Sequence, residues 1–127
     1  SIITGKTSSL MGSLSAMLLN ALKQLGGIDD EVHLIAPQII EPVQDLKINH
    51  LRSHNPHLHT DEMLVALSIC ASFDEKAEIA MQQLEKLKNA EAHSTVILSP
   101  VDESVMKKLG INITYEPKYE TQRLYHK

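Results

Sequence analysis

Apolar side chains recur at intervals of three and four residues over much of the chain, which is the spacing of one face of an α-helix. The first such stretch begins at Leu10 and runs for about five turns, and Gly26-Gly27 ends it. Residues 63–71 are apolar almost all round, which is typical of a buried helix. Five helices are predicted, with the approximate bounds 10–25, 37–51, 60–71, 74–87 and 99–109.

Short apolar runs between these helices predict strands at 2–3, 32–36, 95–98 and 111–115. The run 95–98 is wholly apolar or β-branched, which is typical of a central parallel strand. The resulting order, β-α-β-α-α-α-β-α-β, indicates an α/β fold with a mainly parallel sheet of about four strands. We expect residues 1–117 to form a single α/β domain and 118–127 to form a polar tail.

Polar residues before several predicted helices indicate N-caps, since their side chains accept hydrogen bonds from the first backbone N–H groups. Thr7, Ser8 or Ser9 is expected to cap the first helix, and Thr60 the third. Asp74 opens the fourth helix, and Ser99 the fifth. The second helix starts at Pro37, and its predicted apolar face consists of Ile39, Ile40, Val43, Leu46 and Leu51.

Composition narrows the function classes further. Hydrophobic residues make up 43% of the chain and charged residues 22%, which is typical of a globular protein. The formal net charge of −4 and the 3% aromatic content give no support to nucleic-acid binding. The single cysteine, Cys70, excludes an internal disulfide, fits a reducing cytoplasm and is expected to be a buried structural thiol. No apolar run reaches the roughly 18–20 residues that cross a bilayer.

The segment Gly5-Lys6-Thr7-Ser8-Ser9 lies just before the first predicted helix. A helix N-terminus attracts anions because its backbone N–H groups and dipole present positive charge. Lys6 would add charge and the three hydroxyls would add hydrogen bonds, which predicts a phosphate-type or carboxylate site. Only the G-K-[ST] part of a phosphate-binding loop is present, so a capped helix with a solvated lysine is the alternative interpretation.

Histidines and carboxylates cluster in the loop that precedes the third helix, at His50, His54, His57, His59, Asp61 and Glu62. Imidazoles and carboxylates are common ligands of zinc and other transition metals, and a metal site would use His57, His59 and Asp61. The alternative is an ordinary helix start, in which Thr60 caps the helix and the acids complement its dipole.

A further pair, Glu91 and His93, precedes the strand predicted at 95–98. Ligands of open parallel sheets gather at the carboxyl ends of strands, so this pair would lie at the opposite edge unless the site bridges two subunits or domains. Ser99 and Asp102 follow that strand, and we interpret them as helix-capping residues.

Three segments together carry a resemblance to a known family: 4–12 (Thr-Gly-Lys-Thr-Ser-Ser-Leu-Met-Gly), 55–62 (Asn-Pro-His-Leu-His-Thr-Asp-Glu) and 91–98 (Glu-Ala-His-Ser-Thr-Val-Ile-Leu). The chain resembles the C-terminal domain of a bacterial uncharacterised family, domain of unknown function 1846. The resemblance implies a cytoplasmic protein of several hundred residues, with this domain last and a glycine-rich loop in the region before it. Some members bear names that suggest an ATP-dependent zinc protease, but no His-Glu-x-x-His helix is present here.

The family pattern includes His59, Asp61 and Glu62 but does not require His54 or His57, which weakens the metal interpretation, so no metal ligand is assigned. We instead expect His59 to be a polar or acid–base group that Asp61 or Glu62 orients, and His93 to be a further polar or acid–base group.

The leading hypothesis is a cytoplasmic domain that contributes an anion site, formed by Gly5, Lys6, Thr7, Ser8 and Ser9, to a larger enzyme. Its expected partners are the missing N-terminal region, an anionic small molecule and further copies of itself. The alternatives are an assembly domain without its own ligand and a metal-binding histidine loop. No reaction, substrate or cofactor follows from the sequence.

Overall fold

The computed structural model describes residues 3–5, 8–94 and 97–115, and the chain divides into two compact units, residues 1–86 and 87–127. The single-domain organisation expected from the sequence stays a prediction. In the first unit a π-helical segment, Leu46–His50, continues the second helix, and a 3-10 turn, Leu84–Leu87, follows the fourth at the unit boundary. The helices of the first unit are α1 (Ser13–Leu25), α2 (Pro37–Asp45), α3 (Thr60–Ala71) and α4 (Glu75–Gln82).

The second unit is a short strand-helix-strand arrangement. Strand β1 (Glu91–Ser94) lies parallel to β2 (Asn112–Tyr115), with Glu91 opposite Asn112, and α5 (Pro100–Lys108) connects them. Parallel strands require such a crossover connection, and α5 packs against β2. Ser99 caps α5 by accepting the Asp102 N–H at 3.2 Å, as the sequence predicted.

Helix α3 lies at the centre of the first unit and packs against α1, α2 and α4. One face of α3 is fully buried, and aliphatic side chains from α1 and the loops complete the core. None of the helices within the described ranges is long and apolar enough to cross a membrane. The buried apolar residues of this unit include Leu14, Leu18, Leu22, Leu34, Ile35, Ile40, Leu58, Met63, Ala66, Leu67, Cys70, Ala77 and Ala80.

The chain combines helices and strands, as predicted, but the sheet within the described residues has two strands instead of about four. Residues 32–36 lie between α1 and α2 and form no strand; Leu34 and Ile35 are a buried bend there. Of the strand predicted at 95–98, residues 97 and 98 are in no strand and residues 95 and 96 lie outside the described residues, while a strand is present just before them, at 91–94. Of the predicted strand 2–3, Ile3 is in no strand and Ile2 lies outside the described residues.

Two predicted helix starts are wrong. Helix α1 begins at Ser13 with Gly12 as its N-cap, and Ser8 Oγ instead accepts the N–H groups of Leu10 and Met11 at 3.1 and 3.3 Å. The N-cap of α3 is His59, and Thr60 is the first residue of that helix. The predicted starts at Pro37 and Asp74 are confirmed, and the Asp74 carboxylate accepts the Lys76 N–H at 3.2 Å.

Two predicted apolar faces also differ from the structure. Helix α3 was expected to be buried all round, but Val65 and Ile69 lie on an exposed face. Of the apolar face predicted for the second helix, Ile40 on α2 is buried, whereas Leu46 in the π-helical segment and Leu51 just after it are exposed. Lys47 lies two helical turns after Ile40 and is also buried, since its side chain is only 4% exposed.

Gly5 marks a close approach of the N-terminal segment to α1. A Cβ at this position would collide with the Ser13 carbonyl oxygen and the Met17 backbone nitrogen. Asn20 holds the same segment by donating a hydrogen bond to the Thr4 carbonyl at 2.9 Å. Gly5 therefore has a structural role beside α1, because only a residue without a side chain fits there.

We expect Gly5→Ala to lower the free energy of unfolding by about 1–3 kcal/mol, the usual cost of forcing a methyl group into a packed site. Thr4→Ala is the matched control, since Thr4 is exposed and its contact uses only the backbone carbonyl. Urea-induced unfolding of both variants measures the difference. Equal stability of the two variants would contradict the close approach.

Candidate functional site

Leu58 joins the histidine-rich loop to the N-terminal segment through backbone hydrogen bonds. Its N–H donates to the Leu10 carbonyl at 3.0 Å, and its carbonyl accepts the Gly12 N–H at 3.2 Å. This is a parallel bridge between Met11 and Leu58, both of which are buried. The structure therefore places residues 8–12, the described C-terminal part of the segment 4–12, beside the segment 55–62.

Side chains of α1 and α2 hold the same junction. Ser15 on α1 is buried, and its hydroxyl donates to the Leu58 carbonyl at 3.0 Å. Gln44 on α2 donates to the Ser9 carbonyl at 2.8 Å. The Gln44 contact joins residues 8–12 to α2, and the Ser15 contact joins α1 to Leu58, with which those residues pair. Together the two contacts fix the path of residues 8–12 between the two helices.

Two helix N-termini follow directly from this bridge. Gly12 is the N-cap of α1, and His59, next to Leu58, is the N-cap of α3. The two differ in charge, because α3 carries Asp61 and Glu62 in its first turn, whereas α1 has no acidic residue there and no side-chain cap from a described residue. Of these two helix starts, the positive end of α1 is therefore the one without an acidic side chain, a feature that α1 shares with α2.

Lys47, Glu62 and His59 form a connected polar cluster. The Lys47 ammonium lies 2.8 Å from Glu62 Oε1 and also donates to the His57 carbonyl at 2.6 Å. The same carboxylate oxygen accepts the His59 N–H at 2.9 Å and lies 3.4 Å from His59 Nδ1. A buried cation thus anchors the carboxylate that orients a half-buried imidazole.

Asn55 borders the other edge of the His59 imidazole. Its side-chain nitrogen lies 3.5 Å from His59 Nε2, and its side-chain oxygen accepts the His57 N–H at 3.0 Å. The His59 side chain also accepts the backbone N–H of Glu62, which together with the bond from the His59 N–H to the Glu62 carboxylate forms a capping box.

The charges of this cluster favour a role for His59 without a metal over a metal site. His59, Asp61 and Glu62 offer ligand atoms that all lie within 4.8 Å of one another, a different set from the predicted His57, His59 and Asp61. However, the Lys47 ammonium is 2.8 Å from Glu62, and its charge opposes the binding of a cation. The assignment of no metal ligand stays a prediction.

The remaining predicted site residues are spread over the chain. Lys6 and Thr7 lie outside the described residues, while Ser8 and Ser9 are exposed next to the bridge. His93 belongs to the second unit, where it lies within β1, and its Nδ1 is 3.0 Å from Thr114 Oγ1 on β2. The expectation that His93 precedes its strand is wrong, because the strand itself begins at Glu91.

Sequence reasoning missed Lys47, although a signal was present. Lys47 follows the buried Ile40 by seven residues, or two helical turns, and so lies on the same face of the helix. A lysine on an apolar face is a candidate for a buried ion pair, since a buried charge needs a partner. The π-helical segment that contains Lys47 is also a feature that occurs frequently at functional sites.

Comparisons with known proteins place the chain among bacterial relatives. It is 52% identical over 126 residues to a UPF0371 protein of Streptococcus pyogenes serotype M5 (strain Manfredo), covering 99% of this chain and 26% of the relative. It is 54% identical over 126 residues to a UPF0371 protein of Corynebacterium urealyticum, covering 99% of this chain and 25% of the relative. The chain thus spans about a quarter of the length of these relatives.

The resemblance inferred from three sequence segments is confirmed over almost the whole chain. The match of a family model to residues 1–125 includes the bridge, the polar cluster and the second unit. The chain belongs to the family described as domain of unknown function DUF1846, C-terminal.

Proposed function

We propose that this domain supplies a binding site for an anionic, phosphate-type small molecule to a larger bacterial enzyme. The observation that carries the proposal is the acid-free N-terminus of α1 beside the Met11–Leu58 bridge. The N–H groups of residues 13–15 precede the first intrahelical hydrogen bond of α1, which Ala16 donates to the Gly12 carbonyl at 3.0 Å. Such N–H groups and the aligned helix dipole favour a bound anion.

The His59 cluster supports the second part of the proposal, an acid–base or hydrogen-bonding role next to the anion. His59 is adjacent to Leu58, whose carbonyl bonds to the N-cap of α1. Glu62 and Lys47 lie on the Nδ1 side of the imidazole, and the Asn55 side-chain nitrogen lies 3.5 Å from Nε2, so polar groups hold the ring on both sides. A general acid or base needs this kind of fixed orientation within reach of the reacting group.

Several parts of the proposal come from the sequence alone. Lys6 and Thr7 would add a cation and a hydroxyl to the anion site, and Ser8 and Ser9 would add hydroxyls from the exposed segment beside the bridge. His93 would join the site only through an arrangement with other parts of the protein. A cytoplasmic location, the enzyme as a whole and its upstream region also belong to the proposal.

The assembly alternative has less support at the small residues of α1. Ser15 is 1% exposed and bonds to Leu58 within the same chain, so its small size serves internal packing. Homo-oligomer formation stays a prediction, and an exposed face of α3 offers a different surface for contact. The metal alternative is disfavoured by the Lys47 ammonium described above.

Gly12→Asp tests the anion site directly. A carboxylate at the N-cap would fill the position of the anion, so we expect phosphate to bind at least about tenfold more weakly, a loss of about 1.4 kcal/mol. The fold should be as stable or more stable by a few tenths of a kcal/mol, because Asp is a favoured N-cap. The measurement is the melting temperature of the full-length protein against phosphate and sulfate concentration.

Gly12→Ala is the matched control for that experiment. A Cβ at Gly12 would lie 3.9 Å from its nearest neighbour, the Leu58 carbonyl oxygen, so the position has room for the methyl group of alanine. Alanine adds no charge and should leave the phosphate-dependent rise in melting temperature intact. A rise that persists in Gly12→Asp, or that is absent from the unmodified protein, would overturn the anion site.

Lys47→Met tests the cluster that orients His59. Removal of the ammonium leaves the Glu62 carboxylate and the His57 carbonyl without their shared donor, and we expect a loss of about 1–3 kcal/mol of unfolding free energy. Lys76→Met on α4 is the control, because Lys76 is exposed, and its effect should stay within about 0.5 kcal/mol. The free energy of unfolding of both variants is measured by chemical denaturation. Equal losses in the two variants would contradict an anchoring role for Lys47.

A further inference from the structure

Beyond Asp61 in its first turn, helix α3 has an exposed face with large apolar side chains. Val65, Ile69 and Phe73 follow one another at four-residue intervals and are 60%, 45% and 68% exposed. Phe73 is the only phenylalanine of the chain, and its N–H donates to the Cys70 carbonyl at 3.1 Å, which continues the turn of α3. Large apolar side chains grouped in this way mark contact surfaces, whereas scattered ones do not.

The polar residues on this face do not make it hydrophilic. Ser68 Oγ donates to the Val65 carbonyl at 2.7 Å, and Ser72 Oγ donates to the Ile69 carbonyl at 2.6 Å. Both hydroxyl protons are therefore satisfied within the helix. Their burial under a partner would leave no donor unpaired, so the cost of removing water from this face is small.

Charge is also missing from this face. No Asp, Glu, Lys or Arg occurs from Met63 to Phe73, although Glu75, Lys76 and Glu78 are exposed on the neighbouring helix α4. The α4 pattern is that of a solvated helix, and the α3 pattern is that of an interface core, from which charged residues are depleted.

We propose that this face, defined as Val65, Ser68, Ile69, Ser72 and Phe73, docks against the remaining part of the same polypeptide. The chain spans only about a quarter of its relatives and matches a family model described as C-terminal, so most of the full-length protein lies outside it. A covalently attached partner is present at an effective concentration of about millimolar, which favours it over a second copy in dilute solution. The surface is distinct from the anion site, and each can fail without the other.

Ser68→Cys places a thiol in the middle of this face, and Ser104→Cys places a matched one on an exposed position of α5. In the full-length protein, peptide-resolved maleimide labelling is compared between the native and the denatured state for each variant. We expect Cys at 68 to be protected by at least about tenfold more than Cys at 104, because labelling requires the docked face to open. Dilution should leave that protection unchanged.

Val65→Glu and Val101→Glu give a second, matched comparison, since both valines are exposed on helices. Combined with Ser68→Cys in the full-length protein, Val65→Glu should remove the protection of the thiol, whereas Val101→Glu should not. Fast labelling at 68 in the native protein overturns the proposal. Protection that is lost on dilution, in step with dissociation of an oligomer, also overturns it and assigns the face to a second copy.

Discussion

The pairing of Leu58 with residues 10–12 is the constraint on which the site depends. It joins segments that are more than forty residues apart, and the buried hydroxyl of Ser15 reinforces it by donating to the same carbonyl. Closing so long a loop costs entropy, which the burial of Met11 and Leu58 in the core offsets. This pairing is what places the start of α1 next to the start of α3.

The starts of α1 and α3 differ in how the positive end of the helix dipole is compensated. Helix α3 has acidic residues in its own first turn, which complement its dipole. One of them, Glu62, is also in contact with His59 and with the buried Lys47. Helix α1 has an uncharged glycine at its N-cap and no first-turn acid. An anion would supply for α1 what the acids supply for α3, which is why the charge difference, more than the G-K-[ST] motif, supports a ligand at this point.

The elements that the sequence predicted well are those specified by local pattern. The presence of α1, α3, α4 and α5 follows from apolar spacing, and the end of α1 follows from the stop signal at Gly26. However, α1 starts three residues later than predicted and α4 ends five residues earlier. The strands were harder, because a short apolar run such as 32–36 can equally be a buried bend, and because β1 is a half-exposed segment without an apolar run. In the site, His59 and Glu62 were predicted, whereas the roles of Lys47 and Leu58 depend on contacts between distant segments.

Amide hydrogen exchange of the full-length protein, resolved at Gly12 and Leu58, tests the central claim most directly. Both N–H groups belong to one parallel bridge, so the account predicts that they exchange slowly and at similar rates, as groups released by a single opening. Exchange at the free-peptide rate at either position, while the interiors of α1 and α3 remain protected, would show that the two helices form without the bridge and would contradict the account.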